Sequence, residues 1–197
     1  MIRLDKEEIL PADFQGWSFE SDIFENLVKQ TRPTTIIEVG TWKGMSAIKL
    51  YKAAEALCRP FELICVDTWL GGIEHYENAL MKRKNHYPQI YYQFLSNMHH
   101  ADCIDNLVVV PNTSLIGARY LKSKNKKAQL IYIDGSHETP DVYFDLKFYY
   151  ELLADGGIIF GDDYFYEPLK NDVNLFVKEN NLLLQIEENN YWKIVKN

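Results

Sequence analysis

A chain of 197 residues, 47% hydrophobic and 14% aromatic, carries enough apolar material for the core of one α/β domain, which excludes a disordered chain. The net charge of −7, with no basic stripe beyond KSKNKK at 122–127, speaks against nucleic acid as the main partner. No apolar run reaches membrane-spanning length, MIRLDKEEIL lacks the pattern of a signal peptide, and Cys58, Cys65 and Cys103 have neither metal nor disulfide spacing, so free thiols in a reducing cytoplasm are expected.

The chain shows no repeat and no linker, which predicts one domain over 1–197, with 1–20 as an N-terminal extension whose DFQGWSF is a candidate cover for a cofactor. SDIFENLVKQT predicts a helix, with Ile23, Phe24, Leu27 and Val28 at helical spacing and Ser21 or Asp22 as N-cap. TTIIEVG is the first strand, MSAIKLYKAAEAL a helix and FELICVD the second strand. Residues 71–92 form a connection longer than a βα unit needs, expected to act as a lid, a subunit contact or an acceptor-facing loop. YYQFLSNMHHADC reads as a helix, LVVVPN as the third strand, SLIGARYLKS as a helix and AQLIYID as the fourth strand. PDVYFDLKFYYELL is a helix, GGIIFGDD the fifth strand and KNDVNLFVKEN the last helix, before a closing hairpin, LLLQIEENNYWKIVKN, turned at ENN. Continuous Ile, Val and Leu runs separated by helices predict a doubly wound, Rossmann-like parallel sheet with right-handed crossovers, buried on both faces. Such a sheet binds its ligand outside the carboxyl ends of its strands.

Four of the five predicted parallel strands end on acids: Glu38, Asp67, Asp134 and the Asp162–Asp163 pair. This predicts an acidic rim outside the core. The turn after the first strand, EVGTWKGMS, spaces Gly40 and Gly44 as GxxxG, unlike the GxGxxG of dinucleotide sites. Glu38 just before it would repel a pyrophosphate and attract a cation, by up to roughly 4 kcal/mol at about 4 Å and an effective dielectric near 20. S-adenosylmethionine (SAM), with a sulfonium, an ammonium and no phosphate, suits that charge. Asp67 stands where an acid accepts ribose hydroxyls, a role shared with NAD folds. Asp134, Asp162 and Asp163 are candidate ligands for a divalent cation such as Mg²⁺, which would polarise a substrate hydroxyl; the alternative for Asp162–Asp163 is a turn cap. His137, as a neutral imidazole beside them, is the candidate general base, against the plainer reading of a polar loop residue.

IIEVGTWKGMSAIKL, ICVDTWLGG, LIYIDGSHETPDVYFDLKFYYELLADGGIIFGDDY and NNYWKIVK, in this order from about residue 20 to the C-terminus, resemble class I SAM-dependent methyltransferases. Within them the chain is similar to the small-molecule branch of macrocin and other sugar or antibiotic O-methyltransferases. The resemblance implies a seven-stranded sheet of order 3-2-1-4-5-7-6 with the last strand antiparallel. It implies that Glu38, Gly40, Thr41, Gly44 and Ser46 border the methionine part of the cofactor, that Asp67 holds the ribose with Thr68 and Trp69 nearby, and that Thr113 and Ser114 lie on the adenine side. Asp134, Asp162 and Asp163 then fall at the magnesium positions of the metal-dependent members, Asp134 also bordering the cofactor, and His137 at the position of the base. The expected activity is metal-assisted O-methylation of a sugar-like or phenolic small molecule in the cytoplasm, with room for a homo-oligomer. The aromatics of 71–92 and Tyr164, Phe165 and Tyr166 are candidates to face the acceptor. An NAD-dependent oxidoreductase and a non-catalytic SAM-binding module are the alternatives, and related hydroxylase-like proteins share the DTW region.

Overall fold

Ile23, Phe24, Leu27 and Val28 form the buried stripe of helix α1 (Ile23–Thr31) in the computed structural model. The structure describes residues 9–16, 21–75, 81–187 and 190–197. Of the two candidate caps, Asp22 is the N-cap but its side chain accepts no amide, and the Ser21 hydroxyl accepts the Ile23 amide at 3.0 Å instead. The chain continues through β1 (Thr35–Val39), α2 (Met45–Glu55), β2 (Glu62–Asp67), a 3₁₀ turn at Ile73–His75, the short strands β3 (Arg83–Lys84) and β4 (Tyr87–Pro88), and α3 (Ile90–His100). It then forms β5 (Leu107–Pro111), α4 (Ser114–Ser123), β6 (Ala128–Ile133), α5 (Asp141–Tyr149), β7 (Leu153–Gly161), α6 (Glu167–Glu179), β8 (Leu184–Glu187) and β9 (Tyr191–Val195).

Seven strands make one sheet, in the order β5-β2-β1-β6-β7-β9-β8. With the β3–β4 hairpin set aside, this is the expected order 3-2-1-4-5-7-6, and β9 runs antiparallel to both of its neighbours. Strand alternation divides the core. Ile36, Leu63, Cys65, Leu130, Tyr132, Ile158 and Phe160 face α1, α2 and α3. Ile37, Val39, Ile64, Ile131, Ile133, Ile159 and Trp192 face α4, α5 and α6. Because β1, β2, β5, β6 and β7 are parallel, their carboxyl ends share one rim.

Two features differ from the sequence reading. β7 begins at Leu153, ahead of the glycines expected to open it, with a register shift opposite Ala128–Leu130. Within the long 71–92 connection, β3 and β4 pair around Asn85 and His86, both with positive φ (51° and 65°), the geometry of a two-residue hairpin turn. A two-residue polar strand has no hydrophobic period to read. Glu188 and Asn189 of the expected ENN turn, residues 76–80 of the connection and Trp17, Ser18 and Phe19 of the expected cover lie outside the described residues. Among the described residues no helix is long and apolar enough to cross a membrane, and the three cysteines are free thiols.

Under the rim, Tyr132 stacks on Phe160 at 4.8 Å between centroids and takes the edge of Phe24 at 5.1 Å. Phe160 is fully buried. Phe160→Ala is expected to destabilise the fold by roughly 3–5 kcal/mol, read as a lower midpoint in chemical denaturation.

Candidate active site

The register of the sheet sets Cys65, Glu38, Tyr132 and Phe160 side by side across β2, β1, β6 and β7. Alternation points this row toward α1 and α2, so Glu38 is fully buried beneath the first turn of α2. It is therefore not on an open acidic rim, as the strand-end pattern had suggested. Ser46 donates its hydroxyl to Glu38 Oε1 at 2.5 Å, and the Cys65 thiol approaches Oε2 at 3.5 Å. Burial pushes the Glu38 carboxyl up to about 8, aided by the charge of Asp134 and opposed by the Ser46 hydrogen bond. In this state it holds a proton at neutral pH, and a cation brought beside it would favour its release.

Above Glu38 runs the turn from Gly40 to Gly44. Gly40 has φ +80°, and a Cβ there would come within 1.9 Å of the Asp134 carbonyl oxygen, so only glycine lets the β1 turn pass so close to the end of β6. Gly44 (φ +90°) precedes α2 with Phe94 packed against it. Asp67, the expected ribose acceptor, folds back on this turn. Its Oδ2 accepts the amides of Thr41 and Trp42 at 2.8 and 2.9 Å, and its Oδ1 accepts that of Trp69 at 2.7 Å. Thr41 is buried. Trp69 is buried as well, its ring against Phe94 and its indole N–H on the Trp42 carbonyl, while the Thr68 hydroxyl accepts the Leu70 amide at 3.2 Å.

Beside the turn, β6 and β7 bring the other acids together. Tyr132 donates to Asp134 Oδ2 at 3.2 Å. His137 Nε2 lies 3.7 Å from Asp134 Oδ1 and 3.5 Å from Asp163 Oδ2. Ligand atoms of Asp134, His137 and Asp162 all lie within 4.8 Å of one another. The sequence reading grouped Asp163 with the two other aspartates as metal ligands. Here Asp163 (φ 52°) sits at the edge of the cluster, half exposed, with its Oδ1 accepting from Asn190 at 3.2 Å. His137 takes its place in the tight group. Among the described residues neither His137 Nε2 nor Asp162 Oδ1 has a hydrogen-bond partner, although both atoms are buried. Burial holds Asp134 above its ordinary range, and burial with the charges of Asp134 and Asp163 drives Asp162 well above it. The Asp134 carboxylate is the main cause that raises His137 to about 9, against its own desolvation. Without a bound cation the imidazole is thus protonated.

The adenine-side candidates are tied into the scaffold. Thr113 is the N-cap of α4, accepting the Ile116 amide at 3.3 Å. The Ser114 carbonyl accepts the Tyr149 hydroxyl at 2.9 Å, and the Ser114 side chain, near Asp145, opposes the rise of that carboxyl. Asp145 is 5% exposed and closes on Gly135, next to Asp134. Its burial raises its carboxyl to about 7. Sequence reasoning did not single out Asp145 or Tyr132. For Tyr132 the signal was available, since period-two alternation places it on the same side as Asp134, two residues on.

Residues 37–164, from β1 to just past β7, match the family described as methyltransferase domain. The chain belongs to the methyltransferase domain family. This methyltransferase shares its fold with solved structures of low sequence identity. An O-methyltransferase from Bacillus cereus in complex with SAH is 16% identical with a TM-score of 0.63, the alignment covering 89% of this chain and 80% of that one. SAH-bound PaMTH1 from Podospora anserina is 13% identical, TM-score 0.64, covering 89% and 76%. TomG from Streptomyces achromogenes, an O-methyltransferase of tomaymycin synthesis in complex with SAM, is 13% identical, TM-score 0.63, covering 89% and 79%. Comparison with curated proteins finds no match. The family match weighs against the NAD-dependent oxidoreductase on a similar sheet.

Asp145 generates a pH prediction. Its folded pKa lies above the ordinary carboxyl value, so its contribution to stability is fully present below about pH 4 and is lost as pH rises through about 7. Asp145→Asn should therefore melt above the parent protein at pH 8, by up to roughly 4 kcal/mol of stability, and the gain should vanish near pH 4. Thermal melts across that range check it.

Proposed function

We propose that this methyltransferase moves the methyl group of SAM to a hydroxyl of a small molecule, sugar-like or phenolic, in the cytoplasm, assisted by a divalent cation such as Mg²⁺. The carrying observation is the cluster of Asp134, His137 and Asp162, whose ligand atoms lie within 4.8 Å of one another beside the glycine turn. The donor set fits such an ion. Asp162 Oδ1 is buried and finds no partner among the described residues, and the carboxylates around it repel each other unless a positive charge joins them. Asp134 and Asp162 are the carboxylates that would hold the ion, with Asp163 at the edge. Bound there, it would supply the Lewis acidity that lowers the pKa of an acceptor hydroxyl.

The protein's own residues account for the rest. Glu38 and the Gly40–Gly44 turn receive the methionine end of SAM, where the buried carboxyl ionises against the cationic donor. Asp67 shapes that turn through the amides of Thr41 and Trp42. It keeps part of its acceptor capacity for the ribose, because three amides do not saturate a carboxylate. Thr113 and Ser114 border the adenine through the capped start of α4. With the charge of Asp134 offset by a bound cation, His137 would be neutral and take the hydroxyl proton at Nε2 as the acceptor oxygen attacks the methyl carbon in line with sulfur, which leaves as the neutral thioether. Most of the acceleration then comes from holding donor and acceptor in register. Tyr166, edge-on to His137 at 6.4 Å, and Phe165, 66% exposed, offer aromatic surface to the acceptor. The solved structures with SAH or SAM on the same fold support the choice of donor.

Two substitutions test the assignment. Asp162→Asn should lower kcat by about 100-fold or more while calorimetry shows SAM affinity changed less than about threefold. Wild-type activity that survives complete chelation would remove the metal from this scheme. His137→Ala should lower kcat by about 100-fold or more with Mn²⁺ affinity nearly unchanged, as expected of a base. A collapse of Mn²⁺ affinity instead would make His137 a ligand. SAM binding without transfer to any hydroxyl acceptor would favour a non-catalytic SAM-binding module.

A further inference from the structure

The turn between β1 and α2 is not held by its own residues alone. Trp42 adopts φ 50°, a left-handed conformation that a bulky side chain reaches only under constraint. Several segments distant in sequence supply that constraint. Asp67 accepts its amide, the Trp69 indole donates to its carbonyl, and His75 stacks on its ring at 4.1 Å. Its indole N–H reaches Gln15 Oε1 at 2.9 Å, in the N-terminal segment.

The next residue, Lys43, is 4% exposed and pairs with Asp13 of the same segment at 2.8 Å. The Lys43 hydrogen bond is the main cause holding the Asp13 carboxyl below its ordinary range. Asn97 of α3, fully buried, sits between them. Its Nδ2 donates to the Asp13 carbonyl at 2.7 Å and to the Lys43 carbonyl at 2.8 Å. Its Oδ1 accepts the Asp13 amide at 2.9 Å and Gln93 Nε2 at 3.0 Å. The donors and acceptors of this amide are all engaged, which makes it a rigid bridge between segment and turn. Further contacts dock the segment on α3: Leu10 N to Ser96 Oγ at 2.9 Å, Gln93 Nε2 to the Pro11 carbonyl at 2.9 Å, and His100 Nε2 with the Leu10 carbonyl at 2.8 Å.

We propose that residues 9–16 are a clamp on the methyl-donor site, with Asn97 and Asp13 as positioning residues that hold Trp42 and Lys43, and with them the Gly40–Gly44 turn, in the shape that receives the donor. This rests on the reading of that turn as the cofactor site. The segment has a defined mechanical role at one side of the donor, which differs from a flap laid over it. Linkage makes the consequence reciprocal: if the docked segment strengthens donor binding, the bound donor must strengthen the docking of the segment by the same factor. A residue that merely stabilises the fold carries no such reciprocity.

The experiment measures SAH affinity by calorimetry, and amide hydrogen exchange of residues 9–16 with and without saturating SAH, on the full chain. In the wild type, SAH should slow exchange at the Leu10 and Asp13 amides by about tenfold, and Asn97→Ala should weaken SAH binding by about tenfold. Gln15→Ala, which spares the buried amide and removes the acceptor of the Trp42 indole, should weaken binding by about threefold and keeps the test open if Asn97→Ala does not fold. Exchange at Leu10 and Asp13 that ignores bound SAH, or a folded Asn97→Ala or Gln15→Ala variant with wild-type SAH affinity, overturns the clamp alone. Failure of the wild type to bind SAH overturns the cofactor reading and the clamp with it.

Discussion

Like charges gathered at one end of a parallel sheet are the constraint on which this site depends. Strands that run the same way finish on the same side, so acids at strand ends cannot avoid one another. Asp134, Asp162 and Asp163 converge there, with His137 among them and Tyr132 donating to Asp134 from below, while Glu38 lies buried beneath them. Burial and mutual repulsion push Glu38, Asp134 and Asp162 toward their protonated forms, while the same charges push His137 toward its cation. Taken without ligands, the cluster is electrostatically unfinished. A positively charged donor near Glu38 and a divalent ion near Asp134 and Asp162 would relieve it from two sides.

The carboxylates are separated by depth along the strands rather than by face, since Glu38 is level with Tyr132 and Phe160 while Asp134 and Asp162 follow two residues further on. Glu38 lies on the face of α1 and α2 and is sealed by Ser46 and Cys65, whereas Asp134 and Asp162 follow at the strand ends, where the helices no longer cover them fully. Glu38 and Asp134 nevertheless feel each other, because Gly40 lets the two strand ends touch backbone to backbone. A side chain at Gly40 would force them apart and weaken the influence of Asp134 on Glu38.

The order of strands and helices was legible in the sequence because long apolar runs such as TIIEV and QLIYI have no other stable home than a doubly covered sheet. The glycine turn, the strand-end acids and His137 were legible for the same reason, since each stands at a fixed offset from a strand. The depth of Glu38 was not, because it depends on how Ser46 of α2 and Cys65 of β2 close over it. Nor was the placing of Asp163 at the cluster's edge, which follows from its left-handed backbone and its bond to Asn190. The β3–β4 hairpin is too short and polar to show a period. The roles of Asn97, Gln15 and Asp145 rest on hydrogen bonds between segments far apart in the chain, for which a single sequence carries no local mark.

Asp67 shows how a residue proposed to touch the ligand can also be masonry. In sheets of this kind the acid at the end of the second strand is the obvious target for anyone wishing to retune nucleotide preference by exchanging one residue. In this protein both of its oxygens are bonded to the amides of Thr41, Trp42 and Trp69. Exchanging it would remove the bonds that hold the Thr41–Trp42 turn, so redesign of the proposed donor site must begin elsewhere, at side chains that do not carry the backbone.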